Sequence, residues 1–342
     1  MPERVGSGSV RARVFLAIVL AALTSPGSAA EVWLHPVLPS TVVKAAAPPV
    51  RRGARPARPA SSAPPFPSAV SGDSSFVELT SGERYPEAGS AVPPERIDRS
   101  LVRLGEGRPM PLTSAKVDGS VTRLEATWAG QGLATLAVLL APEARTVESG
   151  EFEAFLRDAG AAAAAVDRAK RKETKKPAKV VAVEAARAFA AVTAPPRSAD
   201  PVDPAAGSDA PLGLPLEIVA GVPPLPLRAG SVLTATVLLD GQPAPGATVR
   251  AYAAEGEAPV TLAADPHGVV TLPLEREGRL LLAAASVRRT TKADRAKGEA
   301  WRKADWEVRR ATLELLVLPA APAPAPAPTP APKAKRPTPK PR

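Results

Sequence analysis

The sequence predicts a mostly β protein: an N-terminal β module carrying a helical insertion, a C-terminal β-sandwich, and a disordered linker and tail. Three observations carry that expectation. Short runs with apolar and polar residues alternating recur through residues 72–148 and again through 212–318, separated by Gly, Asp or Pro turns. Between them, residues 149–193 hold apolar positions at helical spacing. Two stretches, 45–71 and 319–342, are so rich in Pro, Ala and charge that they cannot bury enough apolar area to offset the entropy of ordering.

Residues 1–30 read as a secretory signal peptide. Arg4, Arg11 and Arg13 precede the apolar run Val14 to Leu23, and Pro26 and Gly27 lead to the small residues Ser28, Ala29 and Ala30. That run spans roughly 15 Å as a helix, about half a bilayer core. Cleavage is expected after Ala29 or Ala30, which places the mature chain in the periplasm or outside the cell. No cysteine follows the run, so lipid attachment there is excluded, and no later stretch is apolar for long enough to span a membrane.

Residues 31–44 read as a strand segment anchored by Trp33, followed by the Pro/Arg-rich linker over 45–71. In the β module (72–148), strands are expected at Phe76–Leu79, at Arg99–Leu104 before the Gly105–Gly107 turn, on either side of a Lys116–Val121 turn, and at Gly132–Leu140. In the insertion, Ser149 is expected to cap a helix through Ala159 whose Phe152, Phe155 and Leu156 share one face. Gly160 breaks it, the alanine run restarts it, Arg168 to Lys179 reads as an exposed basic loop, and Val180–Val192 reads as a second helix. A linker over 194–211 leads into the last unit.

That unit, 212–318, has the clearest pattern. Leu233, Ala235, Val237 and Leu239 mark one strand, Asp240–Gly241 turns the chain, and Val249 and Ala251 lie on the return strand. Val260–Ala263 is a third strand, residues 265–268 make a second turn, and Val269–Leu274, Arg279–Ser286 and Ala311–Leu318 complete the set. Short strands at this turn spacing read as an immunoglobulin-like sandwich.

Composition narrows the function classes. The net charge of +10 resides in the leader (+2), residues 32–72 (+5) and the tail from Pro319 (+5), leaving −2 for the rest. The folded parts are therefore not basic, and nucleic acid is excluded as partner. The basic ends suit lipid head groups or an anionic envelope polymer, bound by counterion release. Cysteine is absent and only His35 and His267 are present, which removes disulfides, thiolate metal sites and a cysteine nucleophile and argues against a Ser-His-Asp hydrolase. With aromatics at 4%, the core is expected to be Val, Leu and Ala.

Several segments together resemble a bacterial family of periplasmic proteins of undefined function, formerly called NikM-like components of nickel uptake. Ala30-Glu-Val-Trp-Leu-His-Pro36 is similar to the family's pattern after cleavage, and Phe152–Gly160 with Glu184–Arg187 to its helical excursion. The C-terminal match runs through Leu214–Val219, Gly230, Asp240–Ala247, Asp265–Gly268 and Asp305–Leu313. The resemblance implies a C-terminal domain akin to carboxypeptidase-regulatory and transthyretin-like modules, and a link to transition-metal (nickel or cobalt) uptake. Two histidines of the family pattern fall here on Ala30 and near Ser286.

Candidate site residues are few. Glu31 and His35 pair a carboxylate with an imidazole and are the metal candidates, suited to a weakly bound divalent ion at most. Asp240, Glu255, Glu257 and Asp265 lie on loops that could meet in a Ca²⁺ site at one sandwich end. Trp33, Gly241, Asp265, Gly268, Asp305 and Trp306 are read as structural, through turn chemistry and aromatic packing. No nucleophile–base pair or paired carboxylates can be named, so no enzyme and no other cofactor is expected. The expected role is an exported binding or accessory protein partnered with an envelope transport component. The alternative is a non-catalytic envelope structural or adhesion protein docked on anionic polymers.

Overall fold

The structure, a computed structural model, describes residues 30–37, 68–128, 130–193, 209–221, 227–253 and 257–320. The leader before Ala30, most of both linkers and most of the tail lie outside the described residues. Along the chain run β1 (Glu31–Val37), β2 (Ser68–Val70), β3 (Ser74–Gly82), β4 (Ser90–Ala91), β5 (Ile97–Leu104), β6 (Met110–Pro111), β7 (Thr113–Asp118), β8 (Val121–Thr127), β9 (Gly132–Leu140) and β10 (Glu143–Val147). Two helices follow, α1 (Ser149–Asp158) and α2 (Ala162–Lys170). Then come β11 (Ala178–Thr193), β12 (Leu216–Ala220), β13 (Leu227–Arg228), β14 (Val232–Leu239), β15 (Gln242–Pro243), β16 (Thr248–Tyr252), β17 (Val260–Ala263), β18 (Val269–Pro273), β19 (Gly278–Arg289), the short α3 (Glu299–Arg302) and β20 (Trp306–Leu318).

The mostly β expectation holds, and the described strands form three sheets. The first has the order β1-β3-β8-β7 with β4 on β3, and the third the order β12-β14-β15 with β18 on β14. Between them lies a sheet of eleven described strands, β17-β16-β19-β20-β11-β9-β5-β6, with β2 and β10 also pairing with β11 and β13 with β20. Side chains alternate across β11, so Ala186, Ala188, Ala190 and Val192 meet Leu34, Val77, Leu79 and Leu124 of the first sheet. Phe189 and Ala191 meet the core of the third, around Ile218, Ala235, Val237 and Leu313. The large sheet is thus a middle layer shared by two cores.

This arrangement corrects the division into separate units at 148 and 212. β11 pairs in parallel with β20 from Val180↔Trp306 to Ala188↔Glu314, joining the N-terminal module to the C-terminal one by a continuous ladder. The sandwich over 212–318 uses this shared sheet as its second layer. The linker drawn over 45–71 ends early as well, since β2 pairs with Ala191–Thr193.

Residues 180–192 are a strand and not the expected helix. Every residue of β11 from Val180 to Val192 is buried. A run buried on both faces looks alike as strand or helix by periodicity, and abundant Ala favours the helical reading. Here the small side chains serve a strand pressed between two layers. A second correction concerns the hairpin after Asp240–Gly241: the return strand is the two-residue β15, while β16 crosses to the middle sheet and pairs with β19. The Ser149 cap is also corrected, because the helix boundary falls one residue earlier, at Glu148, and no side chain caps it.

The apolar face of α1 behaves as its spacing predicts. Phe152, Phe155 and Leu156 pack with Ala164 of α2 onto Ala178, Val180, Trp306 and Val308. Arg168 departs from the exposed-loop expectation. Its guanidinium is buried over the Phe152 ring, 5.0 Å from the centroid, and donates to Glu153 and to the carbonyls of Glu173 and Lys176, so it closes the α2–β11 turn from within. The lysines of that segment, Lys170, Lys172, Lys175, Lys176 and Lys179, are exposed.

Candidate functional site

The two metal candidates do not converge. Glu31 and His35 stand four residues apart on β1, which separates them by roughly 13 Å along a strand. His35 Nδ1 lies 2.6 Å from Glu314 Oε1, and Arg279 holds the same carboxylate through Nε and Nη2 at 3.1 Å each. Arg279 in turn covers the ring of Tyr85, which packs edge-on against Trp33 at 5.5 Å. Burial and the Glu314 charge push the Tyr85 phenol up. Gly82 makes room for Trp33, since a Cβ there would come within 2.8 Å of the indole.

Glu31 faces other neighbours. Burial pushes its carboxyl up from the ordinary value, and Arg310 pulls the other way. A carboxyl favoured in its protonated form and an imidazole already bonded to a carboxylate make a poor donor set for a divalent ion. Among the described residues no cluster of three or more His, Asp or Glu is arranged to hold a metal.

The acids proposed for calcium are each occupied separately. Asp240 pairs with Arg309 at 2.7 Å, Glu257 with Arg276, and Asp265 accepts the N–H groups of His267 and Val269 at 2.8 Å, which hold its carboxyl below the usual range. Glu255 lies outside the described residues. Asp240, Gly241 and Gly268 adopt positive φ (50°, 76° and 76°), as tight turns require. At Gly268 a Cβ would also press to 2.9 Å from Val237 O. Asp305 donates its N–H to Lys179 O, and Trp306 begins β20 beneath Arg289 and Phe152.

What sequence reasoning missed is a cavity of about 260 Å³ beneath α1, lined in part by Arg145, Phe152, Phe155, Val180, Val308 and Arg310, with Ala30, Glu83 and Glu151 also at its wall. β10 supplies Arg145, β20 supplies Arg310, and the amino-terminal turn of α1 supplies Glu151 and Phe152. Behind the two arginines lies Glu184 of β11, whose carboxylate is 3.7 Å from Arg145, 3.6 Å from Arg310 and 3.9 Å from Arg96. Arg96 also pairs with Glu143. Arg310 Nη1 donates to the carbonyl of Ala30 at 2.7 Å. The Nε atoms of Arg145 and Arg310 are buried without a hydrogen-bond partner. Burial, and then the neighbouring Arg310 charge, weaken proton binding at Arg145. A larger cavity of about 490 Å³ between α2 and residues 242–248 is walled mainly by Ala, Gly and Pro, with Gln242, Thr248 and Ser286 as its polar side chains and no charged one.

On the opposite face of β11, Arg187 is enclosed between Asp209 and Glu217. It donates to Asp209 Oδ1 and to Ile218 O at 2.5 Å and sits 3.4 Å from Glu217. Glu217 accepts the N–H groups of Leu212, Gly213 and Leu214, and Asp209 that of Ala220. Burial raises the Asp209 carboxyl against the pull of Arg187. This cluster clamps residues 209–220 to the middle sheet.

Fold and site together define a mostly β protein of several stacked sheets with a polar-floored cavity under a helical cap. The chain belongs to a family described as a domain of unknown function (DUF4198), whose model matches residues 67–288. No curated protein matches by sequence. Among solved structures, Salmonella alpha-2-macroglobulin reacted with methylamine is similar at 11% identity over 85% of this chain, with a TM-score of 0.19. The chain spans 15% of that protein's length. A tetra-tandem repeat from the extending region of a large adhesion protein is similar at 11% identity, covering 71% of this chain and 45% of that one, with a TM-score of 0.16. The D0-D1 domain of intimin is similar at 13% identity, covering 73% and 94%, with a TM-score of 0.17.

Proposed function

We propose that the protein is an exported, non-catalytic binding or accessory protein that holds a small ligand in the cavity beneath α1. The observation that carries this reading is the pair Arg145 and Arg310, which line one cavity and approach Glu184 only at 3.7 and 3.6 Å. A guanidinium that borders a cavity without a hydrogen bond among the described residues, as at Arg145, has donors to offer a ligand. Thr146 supplies the hydroxyl among the lining side chains, and His35 is engaged elsewhere by Glu314, which supports binding over catalysis. The basic leader with its short apolar run supports export.

Metal uptake, the finer role implied by the NikM-like resemblance, enters this proposal as cargo handled with an envelope transport partner, because Glu31 and His35 do not form a shared donor set. The immunoglobulin-like description of the C-terminal unit likewise rests on its strand pattern and on the resemblance. Envelope docking is supported by the exposed lysines 170, 172, 175, 176 and 179 after α2, which offer a compact surface for an anionic polymer.

Protein purified from its producing cells, sequenced from its amino terminus and denatured to release bound molecules for mass spectrometry and metal analysis, tests the reading. An amino terminus at Ala30, from the cleavage that keeps the carbonyl bonded by Arg310, and a near-stoichiometric small organic molecule are expected. An intact Met1 end would overturn export, and a chain that carries a tightly bound metal and no organic ligand would replace the cavity with a metal site.

A further inference from the structure

We infer that the cavity under α1 binds a small monocarboxylate with an apolar body, an inference that rests on the ligand-binding reading above. The charge arrangement on its floor leads to this class. Each guanidinium carries five donors. Arg310, with its side chain 7% exposed, uses one on Ala30 O and meets Glu184 only at 3.6 Å; Arg145, 37% exposed, meets Glu184 only at 3.7 Å. Glu184 thus stands between two cationic groups that border the same space, while Arg96 behind it is shared with Glu143 and Arg310 also lies beside Glu31. An incoming carboxylate would accept from the accessible Nη groups of Arg145, which is 37% exposed and has only the 3.7 Å approach to Glu184, and relieve the like-charge crowding that weakens proton binding there. The planar fork of arginine matches the two oxygens of such a group.

The walls choose the rest of the ligand. Phe152, Phe155, Val180 and Val308 line one side, and Arg310 stacks on the Phe155 ring at 4.8 Å, so the carboxylate end lies beside an apolar surface. Glu83 and Glu151 stand exposed at the cavity wall. The exposed Glu151 charge disfavours a dianion such as phosphate and tolerates a single negative charge held beside the arginines. The volume, about 260 Å³, falls just under the range of about 300–1,000 Å³ typical of pockets for drug-sized ligands. The fitting molecule is a short aliphatic or single-ring acid.

Calorimetric titration of the purified full-length protein with hexanoate, phenylacetate, hexylamine, hexan-1-ol and inorganic phosphate tests the class. Saturable one-to-one binding of the two carboxylates is expected, with phosphate, the amine and the alcohol at least ten-fold weaker. Arg145→Met keeps the length of the side chain and lies at a partly exposed position, so its unliganded melting temperature should stay near that of the parent. Its affinity for hexanoate should fall about ten- to hundred-fold, the loss typical for a charged hydrogen bond. Arg310→Lys, which keeps the charge and gives up the fork, should show a smaller loss. Preference for hexylamine or hexan-1-ol, or undiminished hexanoate binding by Arg145→Met, would overturn the carboxylate assignment while leaving the cavity as a ligand site. Failure of all five probes, together with no small molecule released from the native protein, would overturn the ligand-binding reading itself.

Discussion

Glu184 and Arg187 stand three residues apart on β11 and so on opposite faces of the middle sheet, each at the centre of a charged cluster, and the clusters are built differently. Around Arg187, one guanidinium meets two carboxylates, and backbone N–H groups take up the remaining lone pairs; the charge is enclosed and the segment 209–220 is fixed in place. Around Glu184, the carboxylate has three guanidiniums at distances beyond hydrogen bonding; Arg96 also pairs with Glu143, and the other two border an open cavity. The first cluster is satisfied apart from Arg187 Nε, and its arginine is 1% exposed. The second has both spare donors and space. Buried charge alone does not mark a site; charge with unused bonding capacity beside empty volume does.

The largest test of this contrast is Arg187→Met. Removing the cation leaves two carboxylates buried without their counter-ion, and unfolding by guanidinium is expected to show a loss of about 3–5 kcal/mol. A loss below ~1 kcal/mol would mean that the cluster holds nothing together. Phe152→Ala, which strips the cavity roof from Trp306 and Phe155, should cost about 3 kcal/mol in the same measurement. Glu184→Gln should cost less, about 1–2 kcal/mol, because Arg96 and Arg145 are partly solvated and water screens their repulsion. If Glu184→Gln proves as damaging as Arg187→Met, the two clusters are alike and the contrast fails.

The smallest effect is expected at Glu31. Its carboxyl is raised above the unfolded value by burial, so the fold favours the neutral form; the stability this contributes is full below the ordinary carboxylate range and is lost as pH rises through the folded value. Glu31→Gln is permanently neutral. Its melting temperature should match the parent's at pH 4 and exceed it at pH 7 by no more than about 2–4 °C, the shift of ~1 kcal/mol in a chain of this size. A lower melting temperature than the parent's at pH 7 would show that ionised Glu31 is stabilising, through Arg310.

Local pattern made much of the fold legible. Period-two runs located β14, β18 and β19, the Asp240–Gly241 and Asp265–Gly268 turns fell where their residues demand, and Phe152, Phe155 and Leu156 marked the buried face of α1. β11 escaped because alternation vanishes in a strand covered on both sides, and its Ala content points towards helix. The parallel pairing of β11 with β20 escaped because nothing in a sequence encodes which of two distant buried runs will meet. The cavity was hidden for the same reason: Arg145, Glu184 and Arg310 are remote in the chain, and each alone reads as a surface charge. Only the excess of charged residues within otherwise apolar strands, Glu184 and Arg187 in β11 and Arg309, Arg310 and Glu314 in β20, could have hinted at them.

The seating of the first described strand against the last has a kinetic consequence. Arg310 and Thr312 bond to the carbonyls of Ala30 and Val32 across 280 residues, and β20 lies between β11 and β19 in the middle sheet. A chain emerging amino end first therefore has β11 and β19 ready but no strand to join them until Trp306–Leu318 arrives. Such high contact order makes folding slow and late. The core of the third sheet, which includes Ala311, Leu313, Leu315 and Val317, therefore closes only when β20 is in place, whereas the core of the first sheet contains no β20 side chain and can assemble before it.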